Sequence, residues 1–193
     1  MSVSIVVADS SHTMYAERIC ELMYISAQER GTGIARRSPE YVAQKMRDDK
    51  AIIAIENGEA VGFSYIETWS HSRFVANSGL IVAHSHRNTG LARKIKGRIF
   101  KLSRKLYPDA KIFSITTGLA VMKINYELGF RPVTFSELTD DPDFWKGCEG
   151  CRNYDILQRN NHKMCLCTGL LFDPDYKPAK RTPLGKFVSL FSL

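Results

Sequence analysis

Two stretches of this chain carry residues whose types and spacing could do chemistry. In the first, a short apolar run, Gly79-Leu-Ile-Val82, leads towards Arg87-Asn88-Thr89-Gly90-Leu91-Ala92, and a helical pattern starts there. Strand, glycine turn and helix start in that order gather unpaired backbone N–H groups at one point, where the helix dipole adds partial positive charge. Such a point suits a pyrophosphate. Gly90 lets the backbone come close to a phosphate, and the small Ala92 leaves the helix start uncrowded. In the second stretch, Cys148, Cys151, Cys165 and Cys167 follow the pattern C-x2-C-x13-C-x-C. Two close pairs divided by a short loop have the spacing of a tetrahedral structural zinc site, with His162 as a substitute ligand. Zinc there would staple an extension too small to make its own core. The same four residues also read as reduced thiols packed as small hydrophobes.

The bulk of the chain bounds what such groups can serve. Its 193 residues suit one domain with a substantial core and a small appendage. No apolar run approaches the ~20 residues that cross a bilayer, and the start, MSVSIVVADSS, lacks the marks of a signal peptide. A cytoplasmic protein without a membrane partner is the expectation. The formal charge of +7 favours anionic partners. Nucleic acid is disfavoured, because the densest cations, Arg93, Lys94, Lys96, Arg98, Lys101, Arg104 and Lys105, share a helix with Leu91, Ile95, Ile99, Leu102 and Leu106. The apolar set recurs every three or four residues and forms the buried stripe, which leaves the cations as a solvated face.

The elements that position the two stretches follow from periodicity and turn signals. Val3–Ala8 reads as a strand and 13–29 as a helix, with Cys20 buried inside it. Ser38-Pro39-Glu40 opens a second helix that runs to Asp48. Strands Ala51–Glu56 and Ala60–Thr68 flank the hairpin signal Asn57-Gly58. Strand Phe74–Ala83 leads to the glycine loop and the helix 90–106. Strand Lys111–Thr116, helix 119–128 and strand Pro132–Leu138 complete a β-α-β unit. Beyond it, Met164–Phe172 reads as a strand carrying Cys165 and Cys167, and the end holds the short amphipathic run Phe187–Phe191.

Arg87-x-x-Gly90-x-Ala92 after an apolar strand resembles the acyl-CoA pyrophosphate loop of the GNAT superfamily of N-acetyltransferases. Downstream, Leu119-Ala-Val-Met-Lys-Ile-Asn-Tyr126-Glu-Leu-Gly129-Phe130 resembles that family's second signature, a short helix with Tyr before Gly-Phe. The likeness spans roughly residues 3–137. It implies an α/β (α+β) fold with a mixed central sheet flanked by helices. The domain would be 1–138, with a Cys-rich extension, 139–176, packed on it and a basic tail, 177–193.

The resemblance also implies a reaction: transfer of an acetyl or related acyl group from acetyl-CoA or another acyl-CoA to a primary amine. The loop residues Arg87, Asn88, Thr89, Gly90, Leu91 and Ala92 would bind the cofactor pyrophosphate, and the N–H of Val82 would polarise the thioester carbonyl. Tyr126 would give a proton to the leaving thiolate. The family's usual base, a Glu on the strand before the loop, has no counterpart in Phe74–Ala83, so Glu67 is the candidate, with His84 as the alternative. Leu119 stands where the family has Asn. The connection between the first two helices, which shapes the acceptor site in this fold, carries Arg30, Arg36 and Arg37. Arg36 and Arg37, adjacent, suit a bidentate grip on carboxylates. Trp145-Lys-Gly-Cys148, Asn153-Tyr-Asp-Ile156 and Cys165-Leu-Cys167 further resemble a short GNAT subgroup of candidate N-acylglutamate synthases. A small acidic amine such as glutamate is therefore the expected acceptor. A protein or polyamine acceptor, a non-catalytic CoA- or nucleic-acid-binding module, and a homodimer stay open alternatives.

Overall fold

The computed structural model describes residues 2–30 and 36–177. Seven strands form one sheet in the order β1-β2-β3-β4-β5-β7-β6. They are β1 (Ser4–Ala8), β2 (Ala51–Glu56), β3 (Glu59–Trp69), β4 (Phe74–Val82), β5 (Lys111–Thr116), β6 (Arg131–Val133) and β7 (Thr168–Phe172). The helices are α1 (Ala16–Arg30), α2 (Pro39–Arg47), α3 (Leu91–Leu106), α4 (Leu119–Glu127), α5 (Pro142–Lys146) and α6 (Tyr154–Arg159). All strand pairs are antiparallel except β4 with β5, which run parallel. The mixed sheet flanked by helices is the expected fold class.

Local chemistry accounts for the punctuation. Asn57 and Gly58 both take positive φ, the conformation a two-residue β2–β3 turn requires. Ser38 caps α2 by accepting from the Tyr41 N–H at 3.2 Å, with Pro39 at the first helical position. The strand β3 is buried along most of its length on both faces, between the helices of either side. Leu91, Ile95 and Ile99 of α3 enter the core from below the sheet.

Several expectations shift. The chain before α1 is a 3-10 turn over Ser10–Tyr15, held by Asp9, so the first α-helix starts later than residue 13. The expected strand 132–138 is short: β6 ends at Val133 and a 3-10 turn covers Phe135–Glu137. Cys165 and Cys167 lie ahead of β7, because ladder pairing with β5 and β6 begins only at Thr168. That strand, from the segment expected as an appendage, is inserted between β5 and β6 and completes the sheet. Lys96, expected on the solvated face of α3, is fully buried instead, while Leu106 of the expected stripe is exposed. The run 187–191 lies outside the described residues. No helix among the described residues is long and apolar enough to cross a membrane.

Candidate active site

The site begins where the sheet divides. Parallel pairing of β4 with β5 covers only Phe74–Ala76 against Lys111–Phe113. Beyond Ala76 and Phe113 the strands part, and a cavity of about 530 Å³ opens between them, lined by Asn77, Ser78, Gly79 and Leu80 on one side and Ser114, Ile115 and Thr116 on the other. In β4 the register against β3 slips by one residue between Ser78 and Ile81. A bulge of this kind leaves backbone groups out of the ladder and re-aims them. Gly79 is fixed there twice over. Its φ is +63°, and a Cβ would sit 2.2 Å from the Tyr65 ring.

In the turn that follows β4, Asn88 and Gly90 both take left-handed backbone conformations, with φ of 64° and 83°. A Cβ on Gly90 would meet nothing within 4 Å, so the space above the start of α3 is open. No side chain caps α3, and its first turn holds no acidic residue. The leading N–H groups of a long helix therefore face open space with partial positive charge. These features fit the pyrophosphate of an acyl-CoA.

The wall around Glu67 is built from side chains. Glu67 of β3 is 7 % exposed and lines the cavity. Tyr41 of α2 donates to one of its carboxylate oxygens, and Ser78 of β4 donates to the other at 2.6 Å. Arg37, also in the wall, donates through Nε to the Tyr65 hydroxyl at 2.9 Å and lies 5.4 Å from the Tyr41 ring. Burial, followed by the Glu67 charge, pushes both the Tyr41 and Tyr65 phenols well above their ordinary value, so they stay protonated donors or dipoles. Arg36 is exposed, rests over the Tyr24 ring at 5.6 Å, and reaches the rim of the same cavity. Trp69, Asp143 and Phe144 close the far end.

No family model matches this chain, and no curated protein matches it in sequence. Solved structures do. N-acetylglutamate synthase from Neisseria gonorrhoeae, complexed with coenzyme A and N-acetyl-glutamate, is similar with a TM-score of 0.63 at 18 % identity. The match covers 91 % of this chain and 36 % of that one, so this chain spans about a third of that protein's length. A putative acetyltransferase from Salmonella typhimurium with its cofactor acetyl-CoA gives 0.61 at 15 % identity, covering 93 % and 98 % of the two chains. Diaminobutyrate acetyltransferase from Paenibacillus lautus, with its substrate and coenzyme A, gives 0.59 at 14 %, covering 93 % and 99 %. This chain has the GNAT acetyltransferase fold.

Against that fold, the site residues expected from sequence divide into two groups. Glu67, Arg36 and Arg37 stand together in the cavity wall, and Gly90, Leu91 and Ala92 form the start of α3, outside the lining of the cavity. The others are engaged elsewhere. Arg87 turns away from the loop to grip α1, donating to Glu29 at 2.7 Å and to Ser26 at 3.4 Å, and to the Val82 carbonyl at 3.4 Å. It braces the loop. Thr89 is likewise spent on the loop, donating to the His86 carbonyl at 2.7 Å. Val82 is paired opposite Gly62 and is not among the lining residues; Gly79 and Leu80, at the bulge, are. His84 is exposed on the outer turn beside Glu29. Tyr126 is 73 % exposed and does not line the cavity, and Leu119 is 65 % exposed.

The four cysteines converge on the cavity from the α5–α6 and α6–β7 connections. Burial first, and the neighbouring thiols next, push Cys148 up to about 11 and Cys167 up to about 12. Both are protonated near neutral pH and poor nucleophiles. The expected zinc site is not formed. Among the described residues no group of three His, Cys, Asp or Glu is gathered as metal ligands. The Cys165 thiol points to the Asn153 carbonyl at 3.8 Å, and Cys151 accepts the Asn153 N–H at 3.4 Å. His162 stacks flat on Trp145. Cys148, Cys165 and Cys167 pack on the apolar cluster around Phe144 and Trp145, which is the thiols-as-hydrophobes reading.

Sequence reasoning missed Tyr41, Tyr65, Ser78 and Lys96. Apart from the alternation that puts Tyr65 and Glu67 on one face of β3, no local signal marks them.

Proposed function

We propose that this protein is an acyl-CoA-dependent N-acyltransferase acting on the primary amine of a small acidic acceptor such as glutamate. The observation that carries the reading is the buried Glu67, set with Arg37 in the wall of a cavity that continues into the split between β4 and β5. Backbone N–H groups at the start of α3 hold the donor's pyrophosphate, and its thioester lies along the split beside the β4 bulge. A main-chain N–H at Gly79–Leu80 polarises the thioester carbonyl. Arg37 holds the acceptor's carboxylate through the guanidinium donors that Tyr65 and the Arg36 carbonyl do not use. Glu67 takes a proton from the acceptor ammonium, directly or through one water, and the free amine attacks the carbonyl carbon. The C–N bond forms, the C–S bond breaks, the thiolate leaves, and the nitrogen's second proton passes through solvent to that thiolate. A thiol of ordinary acidity is a tolerable leaving group near neutral pH, so no buried acid is required.

Support for the acceptor class comes from Arg37 and the positive chain charge; the N-acetylglutamate synthase of Neisseria gonorrhoeae, a structural relative, was solved with N-acetyl-glutamate. The test is mass-spectrometric detection of acyl transfer from acetyl-CoA and succinyl-CoA to a pool of amino acids and small amines. An N-acylglutamate product is the expected result. A product on a cationic amine instead overturns the acceptor assignment, and no product on any amine overturns the enzyme.

A further inference from the structure

One cavity residue has no part in the chemistry above. The side chain of Lys96 has no exposed surface, yet it borders the cavity beside Ala76, Asn77 and Phe113. Its Nζ donates to the Asn77 carbonyl across 3.4 Å and lies 5.6 Å from the Phe130 ring centroid. An ammonium has three donors, and a single long hydrogen bond uses one. No acidic side chain pairs with it among the described residues. Buried cations are normally paired, because an isolated one is costly to take out of water.

The position of this amine along the donor path is specific. Ala76 and Phe113 are the last residues at which β4 and β5 pair, so Asn77 marks the closed apex of the split. From the apex β4 runs on unpaired with β5 to Val82, and the chain then turns into the helix start at Gly90. A donor anchored by its pyrophosphate at that helix start directs its acyl group towards the apex. The bulge at Gly79–Leu80 lies between the two. From Leu80 back to Asn77 is three residues of strand, roughly 10 Å. A two-carbon acyl group at the bulge stops short of the apex, and a longer one approaches it.

We propose that Lys96 anchors the far end of the acyl group, and that the site takes an acyl-CoA whose acyl chain ends in a carboxylate. This rests on the acyl-CoA reading of the cavity. A terminal carboxylate would give the buried ammonium its missing counter-charge and use the donors left idle. Burial alone pushes Lys96 down to about 7, so the amine is poised to gain its proton fully when an anion arrives.

Succinyl-CoA and acetyl-CoA are the probes. Their kcat/KM values are measured with the full-length protein and with Lys96→Met, which keeps the length of the side chain and removes its charge. The wild type is expected to favour succinyl-CoA at least tenfold, and the variant to lose at least tenfold of that ratio. Equal use of both donors by the wild type, or an unchanged ratio in the variant, overturns the proposal. Should Lys96→Met fail to fold, calorimetric binding to the wild type decides: succinyl-CoA is expected to bind at least tenfold tighter than acetyl-CoA. Equal affinities overturn the role of Lys96 alone. No binding of either donor overturns the acyl-CoA reading beneath it.

Discussion

The two walls of the cavity are made in different ways. The side proposed for the donor comes from one continuous stretch, from the β4 bulge at Gly79 in the cavity wall to the first turn of α3 beyond it, and it would work through backbone. The wall proposed for the acceptor draws Arg37 and Tyr41, Glu67, Ser78 and Cys148 from four separate segments, and it would work through side chains. Backbone sites need particular residues mainly to permit a conformation, whereas side-chain sites need particular groups at particular distances. The first tolerates most substitutions that leave glycine in place. The second loses function with a single group.

Glu67→Gln presses hardest on that contrast. It keeps the shape and removes the base: the amide oxygen still accepts from Tyr41, and the Ser78 hydroxyl turns to accept from the amide N–H. We expect kcat/KM to fall at least ~100-fold, the usual scale for a lost general base. The calorimetric affinity for acyl-CoA should stay within about twofold, since the donor wall does not contain this residue. A loss of donor affinity equal to the loss of rate would show that the two walls are not separable.

Next in size is the pair Arg37→Ala and Arg36→Ala. Arg37 is half-buried with a fixed hydrogen bond to Tyr65, and Arg36 is exposed. Truncating a buried charged hydrogen-bond donor to a ligand costs about 2 kcal/mol, so Arg37→Ala should raise the acceptor KM ~30-fold. The exposed Arg36 should change it less than about threefold, as screened surface charges do. Equal effects would mean that the acceptor carboxylate is held at the rim.

The same division explains what could be seen in the sequence. The strands β1 to β5, the Asn57-Gly58 turn, the capped start of α2 and the loop at Gly90 are local patterns, and each appears where its residues place it. Glu67 and Arg37 are legible as types but not as neighbours, because their meeting depends on the start of α2 reaching Tyr65 and Glu67 of β3. Arg87 misleads: its spacing fits a phosphate contact, but Glu29, some sixty positions earlier, claims its guanidinium. The cysteines are legible as a cluster, and all four meet at the cavity wall, but among the described residues they are not gathered as metal ligands. Lys96 shows the limit of periodicity. It falls beside the apolar stripe of α3, and only the position of Asn77 and Phe130 reveals that the stripe is wide enough to enclose it.

Lys96 joins the two walls, and its titration gives a measure of stability. Its folded pKa is about 7 against an ordinary 10.5. Between those values the unfolded chain keeps a proton that the folded chain releases. Wild-type stability should therefore rise with pH across this window relative to Lys96→Met, and the variant's advantage should be greatest below pH 7. Urea melts at pH 7 and pH 9 are expected to differ in that advantage by about 1–2 kcal/mol, below the limit of ~2.7 kcal/mol for two pH units. An advantage that does not change with pH would mean the lysine is already paired.

Gly90→Val tests the donor wall by its backbone. Valine is strained at a φ of +83°, and its branches would fill the open space above the start of α3. Acyl-CoA affinity should drop about tenfold, or ~1.4 kcal/mol, with little change in the acceptor KM. Intact donor affinity by calorimetry would move the pyrophosphate away from this helix.

Tyr126→Phe should produce the smallest effect, and it separates sequence signature from geometry most cleanly. The resemblance gives this tyrosine a proton to donate to the departing thiolate. The structure leaves its ring 73 % exposed on α4, outside the lining of the cavity. A thiolate near neutral pH leaves without much help, and solvent can supply its proton afterwards. The expected change in kcat is below about threefold, with the pH profile unaltered. A fall of a hundredfold or more, with donor affinity retained, would show that the ring swings into the split once acyl-CoA is bound. Catalytic side chains would then belong to the donor wall too, and the division between a backbone-built wall and a side-chain-built wall would fail at that residue.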